Sequence, residues 1–189
     1  MNNKTEAEFK SLITKEEYER LLNLFEGSKS DFQTNHYFDT TRFSLKALDA
    51  SVRVREREDF SLTYKRKKGY NIDVRTLIID KEKFEEIKKT GVIDIPEIQE
   101  ELQKLIKDQK LVNFLSLSTF RTYLPYSNGI LNIDKSEYLD TIDYEIEYSA
   151  KSYHQGKEEF IKLINDLKIS YKKSDKKIKR AYNRLKELN

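Results

Sequence analysis

The stretch Asp143-Tyr144-Glu145-Ile146-Glu147-Tyr148 alternates a carboxylate with an apolar or aromatic residue at every step. Side chains alternate across a β-strand, so Asp143, Glu145 and Glu147 share one face while Tyr144, Ile146 and Tyr148 share the other. Ser51-Val52-Arg53-Val54-Arg55-Glu56-Arg57 repeats the pattern with the opposite charge: three arginines oppose two valines. Glu6, Glu8 and Lys10 share a face of the first run, with Ala7, Phe9 and Leu12 near or on the other. Thr63, Lys65 and Lys67 oppose Leu62 and Tyr64, Arg121 stands with Thr119 and Tyr123, and Asp134 stands with Asn132 opposite Leu131 and Ile133. The fold turns on where these polar faces go.

Working outward, the alternation predicts eight strands, at about 4–12, 32–40, 50–57, 60–67, 71–79, 115–126, 130–136 and 142–149. Thr14-Lys15-Glu16-Glu17 reads as a capping box opening a helix that carries Tyr18, Leu21, Leu22 and Phe25. Asp80 caps a short helix with Phe84 and Ile87, and helices follow near 96–110 and 155–168. Ser174 is expected to cap the last one, which runs to about Leu188. The order β-α-ββββ-αα-βββ-αα lacks βαβ alternation and predicts an antiparallel α+β fold. Five glycines and two prolines leave no linker, so residues 1–189 read as one domain. Asn128-Gly129 marks a hairpin, and Lys68-Gly69 and Glu58-Asp59 mark further turns.

Two arrangements satisfy the alternation. In one, the charged faces lie in bulk water and the apolar faces pack on helices. In the other, the sheet curls into an eight-stranded barrel whose polar faces line a wet lumen. The segregation of charge by strand favours the lumen, because like charges in cross-strand contact destabilise a sheet unless something sits between them. A divalent cation bound to a polyphosphate satisfies both sets: carboxylates bind the hard ion and Lys/Arg bind phosphate oxygens.

Composition removes other classes of function. Lys+Arg 36 against Asp+Glu 33 leaves +3. No nucleic-acid partner is expected, since backbone affinity needs uncompensated Lys/Arg. No apolar run approaches the roughly 18–20 residues of a membrane helix. The first residues lack an apolar signal region, so a cytoplasmic protein is expected. Without cysteine there are no disulfides, thiolate metal sites or cysteine nucleophiles. With only His36 and His154, any metal must be held by oxygen. His36 is assigned a structural role and His154 none.

Glu6-Ala7-Glu8-Phe9-Lys10 matches the Glu-x-Glu-x-Lys signature that opens the CYTH superfamily, the triphosphate tunnel metalloenzymes. It is followed in the family's order by Asn35-His36-Tyr37-Phe38-Asp39-Thr40, Val52-Arg53-Val54-Arg55-Glu56-Arg57, Leu62-Thr63-Tyr64-Lys65, Arg121, Asp134, Tyr144-Glu145-Ile146-Glu147, and Lys176, Lys177 and Arg180. The chain most resembles the short Gram-positive CYTH proteins labelled adenylate cyclases. The resemblance implies an eight-stranded antiparallel β-barrel, or tunnel, with flanking helices. It implies divalent metal, Mg²⁺ or Mn²⁺, on Glu6, Glu8, Asp134, Glu145 and Glu147. It implies phosphate ligands at Lys10, Arg53, Arg55, Lys65, Arg121 and Lys177, with Lys176 as the alternative register for the last. A second ion, or a carboxylate such as Glu6 or Glu147, would activate water, and Tyr37 would assist proton transfer.

The segment Ser174-Asp175-Lys176-Lys177 resembles the family's "SK" element only loosely. Asp73, with Arg75 on its face, reads as standing where many relatives carry a glutamate. The expected activity is hydrolysis of a small triphosphate, inorganic triphosphate first, by a monomer or homodimer. The alternatives are cyclisation of ATP to cyclic AMP and polyphosphate or nucleotide binding without turnover.

Overall fold

The computed structural model describes residues 7–188. In chain order these form β1 (Ala7–Ile13), α1 (Lys15–Leu24), β2 (Lys29–Thr40), α2 (Ser44–Ala47), β3 (Ala50–Glu56), β4 (Phe60–Lys68), β5 (Asn71–Ile79), α3 (Lys81–Thr90), α4 (Pro96–Ile106), β6 (Leu111–Tyr126), β7 (Gly129–Tyr138), β8 (Thr141–Ala150), α5 (Tyr153–Asp166) and α6 (Lys177–Leu188). The eight strands make one sheet in the order β1-β8-β7-β6-β2-β3-β4-β5. The pairings of β1 with β8, β7 with β8, β2 with β3, β3 with β4 and β4 with β5 are all antiparallel. The α+β class and the eight strands match the sequence reading, but the sheet is not closed: β1 and β5 are its end strands.

The local signals act as their chemistry requires. The Glu17 amide donates to Thr14 Oγ1 at 3.1 Å while the Thr14 amide donates to Glu17 Oε2 at 2.7 Å, closing the capping box of α1. The Lys83 amide donates to Asp80 Oδ1 at 2.7 Å at the start of α3. The β6–β7 hairpin forms at Asn128-Gly129, yet the left-handed residue of that turn is Ser127, at φ 50°. Gly129 is needed for close approach, because a Cβ there would lie 2.3 Å from the Ser149 carbonyl oxygen. Ser174 does not cap α6; it precedes the first helical residue, Lys177, by three positions and donates its hydroxyl to Glu145. The sequence reading missed α2, a single turn held by Asp39, whose buried carboxylate accepts from the amides of Thr40, Leu45 and Lys46 at 2.7, 2.9 and 3.0 Å.

The chain divides into two compact units. The first comprises the residues up to Phe32 together with Ser118 onward, and the second comprises Gln33–Leu117. In the first, Leu21, Leu131, Ile133, Ile146, Tyr148 and Leu163 form the core. In the second, Val52, Val54, Leu62, Tyr64, Phe84 and Leu102 do so. In each unit the apolar set of the alternation is buried under helices, except in β5, where Ile72, Val74 and Ile78 are exposed.

Candidate metal and phosphate site

In the first unit the β7–β8 register sets Asp134 opposite Glu145, Asn132 opposite Glu147 and Ser136 opposite Asp143. The β1–β8 register adds Lys10 opposite Glu147. Because Leu131, Ile133, Ile146 and Tyr148 claim the other face for the core, these carboxylates are forced onto one face together. That face is not solvated: Asp134 and Glu145 are 0% exposed and Glu147 is 6% exposed. One oxygen from each of Asp134, Glu145 and Glu147 lies within 4.8 Å of the other two. Three converging carboxylate oxygens form a donor set suited to a hard divalent cation.

Basic side chains surround the three acids. Arg121 Nε and Nη2 grip Asp134 bidentately at 2.7 and 2.6 Å, and Nη2 lies 3.5 Å from Glu147. Lys177 Nζ, from the first turn of α6, donates to Asp134 at 2.7 Å and to Glu145 at 2.6 Å. Lys10 Nζ donates to Glu147 at 2.9 Å and pairs with Glu8 at 3.0 Å. Arg180, one turn along α6, bridges Asp143 at 2.8 and 3.0 Å and Glu145 at 2.7 Å. Four acids (Asp134, Asp143, Glu145, Glu147) are thus matched by four bases (Lys10, Arg121, Lys177, Arg180).

Burial alone would neutralise these groups; the pairing reverses its effect. Desolvation pushes the Asp134 carboxyl up, but the Arg121 hydrogen bonds and the Lys177 charge hold it below the ordinary carboxylate range. Glu145 is likewise held low against its burial by Lys177 and Arg180. Desolvation would lower the Lys177 ammonium, but Asp134, Glu145 and Glu147 raise it above its usual value. Lys10 is raised, against its burial, chiefly by Glu147. Asp134, Glu145, Lys10 and Lys177 therefore stay ionised at neutral pH.

In the second unit the basic row is equally well ordered. Tyr37 pairs with Arg53 and Asn35 with Arg55 across β2–β3. Across β3–β4, Arg53 pairs with Thr63, so Tyr37, Arg53, Arg55, Thr63 and Lys65 share a face. Arg55 Nε donates to Asn35 at 3.3 Å, and Arg57 Nε and Nη2 donate to Gln33 at 3.0 and 2.6 Å. The buried Nε of Arg53 has no hydrogen-bond acceptor among the described residues. His36 faces the opposite way, its ring nitrogens 2.9 Å from Ser116 and 3.0 Å from Glu56 and its ring against Phe84, the structural role assigned to it.

The structure thus brings together Lys10, Arg121, Asp134, Glu145, Glu147 and Lys177. Glu8 is half exposed and, among the described residues, pairs with Lys10. Lys176 is exposed, whereas Lys177 reaches the acids. Arg53, Arg55, Lys65 and Tyr37 lie in the second unit. Glu6 falls outside the described residues.

The reading of Asp73 as a replaced site glutamate is corrected. Lys65 pairs with Val74, so Asp73 and Arg75 occupy the opposite face from Lys65. There Arg75 Nη2 donates to Asp73 at 2.7 Å and to Glu101 of α4 at 2.9 Å. The sequence reading gave no site role to Arg180. Its signal was the three-residue spacing from Lys177, which puts both on one face of a helix.

Comparison with known proteins follows the same path. The CYTH domain family matches residues 4–182. A Bacillus subtilis protein named "Putative triphosphatase YjbK" is 31% identical over 188 residues, covering 96% of each chain. A crystal structure from Bacillus halodurans, described as a "putative adenylate cyclase", is 30% identical with a TM-score of 0.76, covering 93% of this chain and 96% of that one. A Hippeastrum protein described as an adenylyl cyclase with "a dominant triphophatase activity" shares the fold at a TM-score of 0.71 and 16% identity, covering 91% of this chain and 93% of that one.

Proposed function

The chain belongs to the CYTH domain family, and from that premise we propose that it is a cytoplasmic, metal-dependent triphosphatase acting as one catalytic domain on a small triphosphate, inorganic triphosphate first. The observation that carries this reading is the buried trio Asp134, Glu145 and Glu147 ringed by Lys10, Arg121 and Lys177. Hydrophobic burial could not hold so many charges; only mutual pairing, or exchange for a ligand of equal charge, keeps them there.

The donor set fits Mg²⁺ or Mn²⁺, held by Asp134, Glu145 and Glu147 together with Glu6 and Glu8. A divalent cation supplies Lewis-acid polarisation of a phosphoryl oxygen. The remaining chemistry belongs to the chain. Lys10, Arg121 and Lys177 would donate to phosphate oxygens in place of the carboxylates they now pair with. Arg53, Arg55 and Lys65 act in the same way, and the orphaned Nε of Arg53 is a donor awaiting such an acceptor. Fixed guanidinium and ammonium groups stabilise charge on the equatorial oxygens of the transferred phosphoryl group. Glu147, or Glu6, takes a proton from the attacking water, with Tyr37 assisting proton transfer.

Phosphate release from tripolyphosphate with Mg²⁺ or Mn²⁺ tests the proposal. Glu147→Gln should lower kcat by roughly 10²- to 10⁴-fold, the size of a general-base contribution. Folded protein that releases no phosphate with either ion overturns it. The name of the Bacillus halodurans relative supports a second reading, conversion of ATP to cyclic AMP and pyrophosphate. Mass spectrometry of the products from ATP separates the two.

A further inference from the structure

The two end strands of the sheet are treated differently. The free edge of β1 is covered by the chain itself: the Leu12 amide donates to the Lys172 carbonyl at 2.9 Å, and Ser11 bridges to Lys173. The other end strand, β5, has β4 as its sole strand neighbour among the described residues. One face of β5 is apolar and uncovered: Ile72 is 66%, Val74 50% and Ile78 70% exposed, with Tyr70 in the preceding turn fully exposed. An end strand that also exposes an apolar face is what soluble proteins avoid unless it is paired.

We propose that β5 pairs with β5 of a second copy of this chain, antiparallel, with Val74 on a two-fold axis perpendicular to the sheet. The sequence of the strand selects this register. With Val74 on the axis, Asp73 of each copy stands opposite Arg75 of the other, giving two opposite-charge cross-strand pairs. Ile72 meets Thr76, and Tyr70 meets Ile78. Centring on Asp73 or on Arg75 instead sets like charges face to face. Centring on Thr76 sets Asp73 opposite Ile79 and Arg75 opposite Leu77, leaving both charges without a partner across the axis. A symmetric pair needs an isologous, self-complementary patch, and the Val74-centred register is one. The axis keeps the Lys65 faces of the two copies on the same side, because Val74 is the cross-strand partner of Lys65. One strand edge a side is a small interface, so the dimer forms and dissociates readily.

The chain has no cysteine, so single substitutions report the register cleanly. Two residues on the axis of an antiparallel pair have Cα atoms about 4.5–5.5 Å apart, within the range a disulfide spans. Val74→Cys, at a half-exposed site, is expected to form a disulfide-linked dimer under mild oxidation. Ile72→Cys alone should not, because its two copies lie about 14 Å apart along the strands. Ile72→Cys mixed with Thr76→Cys should cross-link. Sedimentation equilibrium of the unmodified chain should show a monomer–dimer equilibrium that Val74→Lys shifts to monomer. The proposal is overturned by a chain that stays monomeric at every soluble concentration. A dimer in which Val74→Cys cross-links no faster than Ile72→Cys overturns it equally.

Discussion

Lys177→Met is the most informative single change, because Lys177 bridges the two least exposed acids of the site. Its Nζ lies 2.7 Å from Asp134 and 2.6 Å from Glu145, whose side chains are 0% and 1% exposed. Breaking a buried ion pair by removing one partner costs about 3–5 kcal/mol. The lower end applies here, since Arg121 still grips Asp134 and Arg180 still bridges Glu145. A loss of about 3 kcal/mol in a chain of this size lowers Tm by roughly 6–12 °C. The same change frees two carboxylates for a cation. At a concentration one hundred times its Kd, a ligand that binds only the folded state adds about 2.7 kcal/mol. In the parent chain that gain is reduced by the work of displacing Lys177. Thermal unfolding at constant ionic strength, in chelator and in Mg²⁺ or Mn²⁺, reads both effects. The variant should melt lower in chelator and recover most of the loss with the divalent ion, gaining more than the parent does. A drop below about 2 °C in chelator would show that the buried pairing contributes little. Equal stabilisation of both proteins by the ion would refute the competition between Lys177 and metal.

If Arg53 and Arg55 bind phosphate as proposed, with each contact worth about 1.5–3 kcal/mol, Arg53→Ala and Arg55→Ala should each lower kcat/KM for tripolyphosphate roughly 10- to 150-fold; unchanged kinetics would refute their role as phosphate ligands. Asp73→Ala should leave kcat/KM unchanged, because Asp73 faces α4 and pairs with Arg75; a loss comparable to that of Arg55→Ala would contradict the strand register. Stability should follow pH through the carboxylates. Asp134 and Glu145 are held below their unfolded values of about 4, so their contribution is present above that range and is lost as pH falls through the lower, folded values. Asp134→Asn should therefore flatten the acid limb of a Tm-versus-pH curve, and an identical limb would refute the assignment.

The strands were legible because a half-buried sheet imposes a period of two, and residues such as Val52, Val54, Ile146 and Tyr148 keep it strictly. The carboxylates of β8 were legible for the same reason: Tyr144, Ile146 and Tyr148 fix the apolar side and leave Glu145 and Glu147 no other. What alternation does not encode is which side of an edge strand is covered. In β5 the apolar residues Ile72, Val74 and Ile78 are the exposed ones, and the charged Asp73 and Arg75 turn toward α4, where Glu101 awaits them. The turn held the missing information. The two-residue loop Gly69-Tyr70 sets Lys68 opposite Asn71, and counting back from there makes Val74, not Asp73, the partner of Lys65. α2 left no trace because four residues cannot display helical periodicity. Its cause is one buried carboxylate, Asp39, placed just before it.

The attachment of α6 links the charge network to the proposed chemistry. Helices usually dock through an apolar stripe. Of the residues in α6 only Ala181 is fully buried, while Lys177, Arg180 and Arg184 form a stripe at i, i+3 and i+7. That stripe meets Glu145 and Asp134, then Asp143, then Asp140, in steps along β7, β8 and the turn between them. A helix fixed by ion pairs is bound by groups that a cation and a polyanion can each claim. In the proposed reaction the carboxylates would hold the cation and the ammonium and guanidinium groups would bind the phosphate, and both exchanges would conserve charge inside a buried site. An apolar stripe could not be exchanged in this way, because no part of a metal triphosphate competes for leucine. On the proposed function, the helix that neutralises the acids here is thereby the element that would donate to substrate, its cations changing partners.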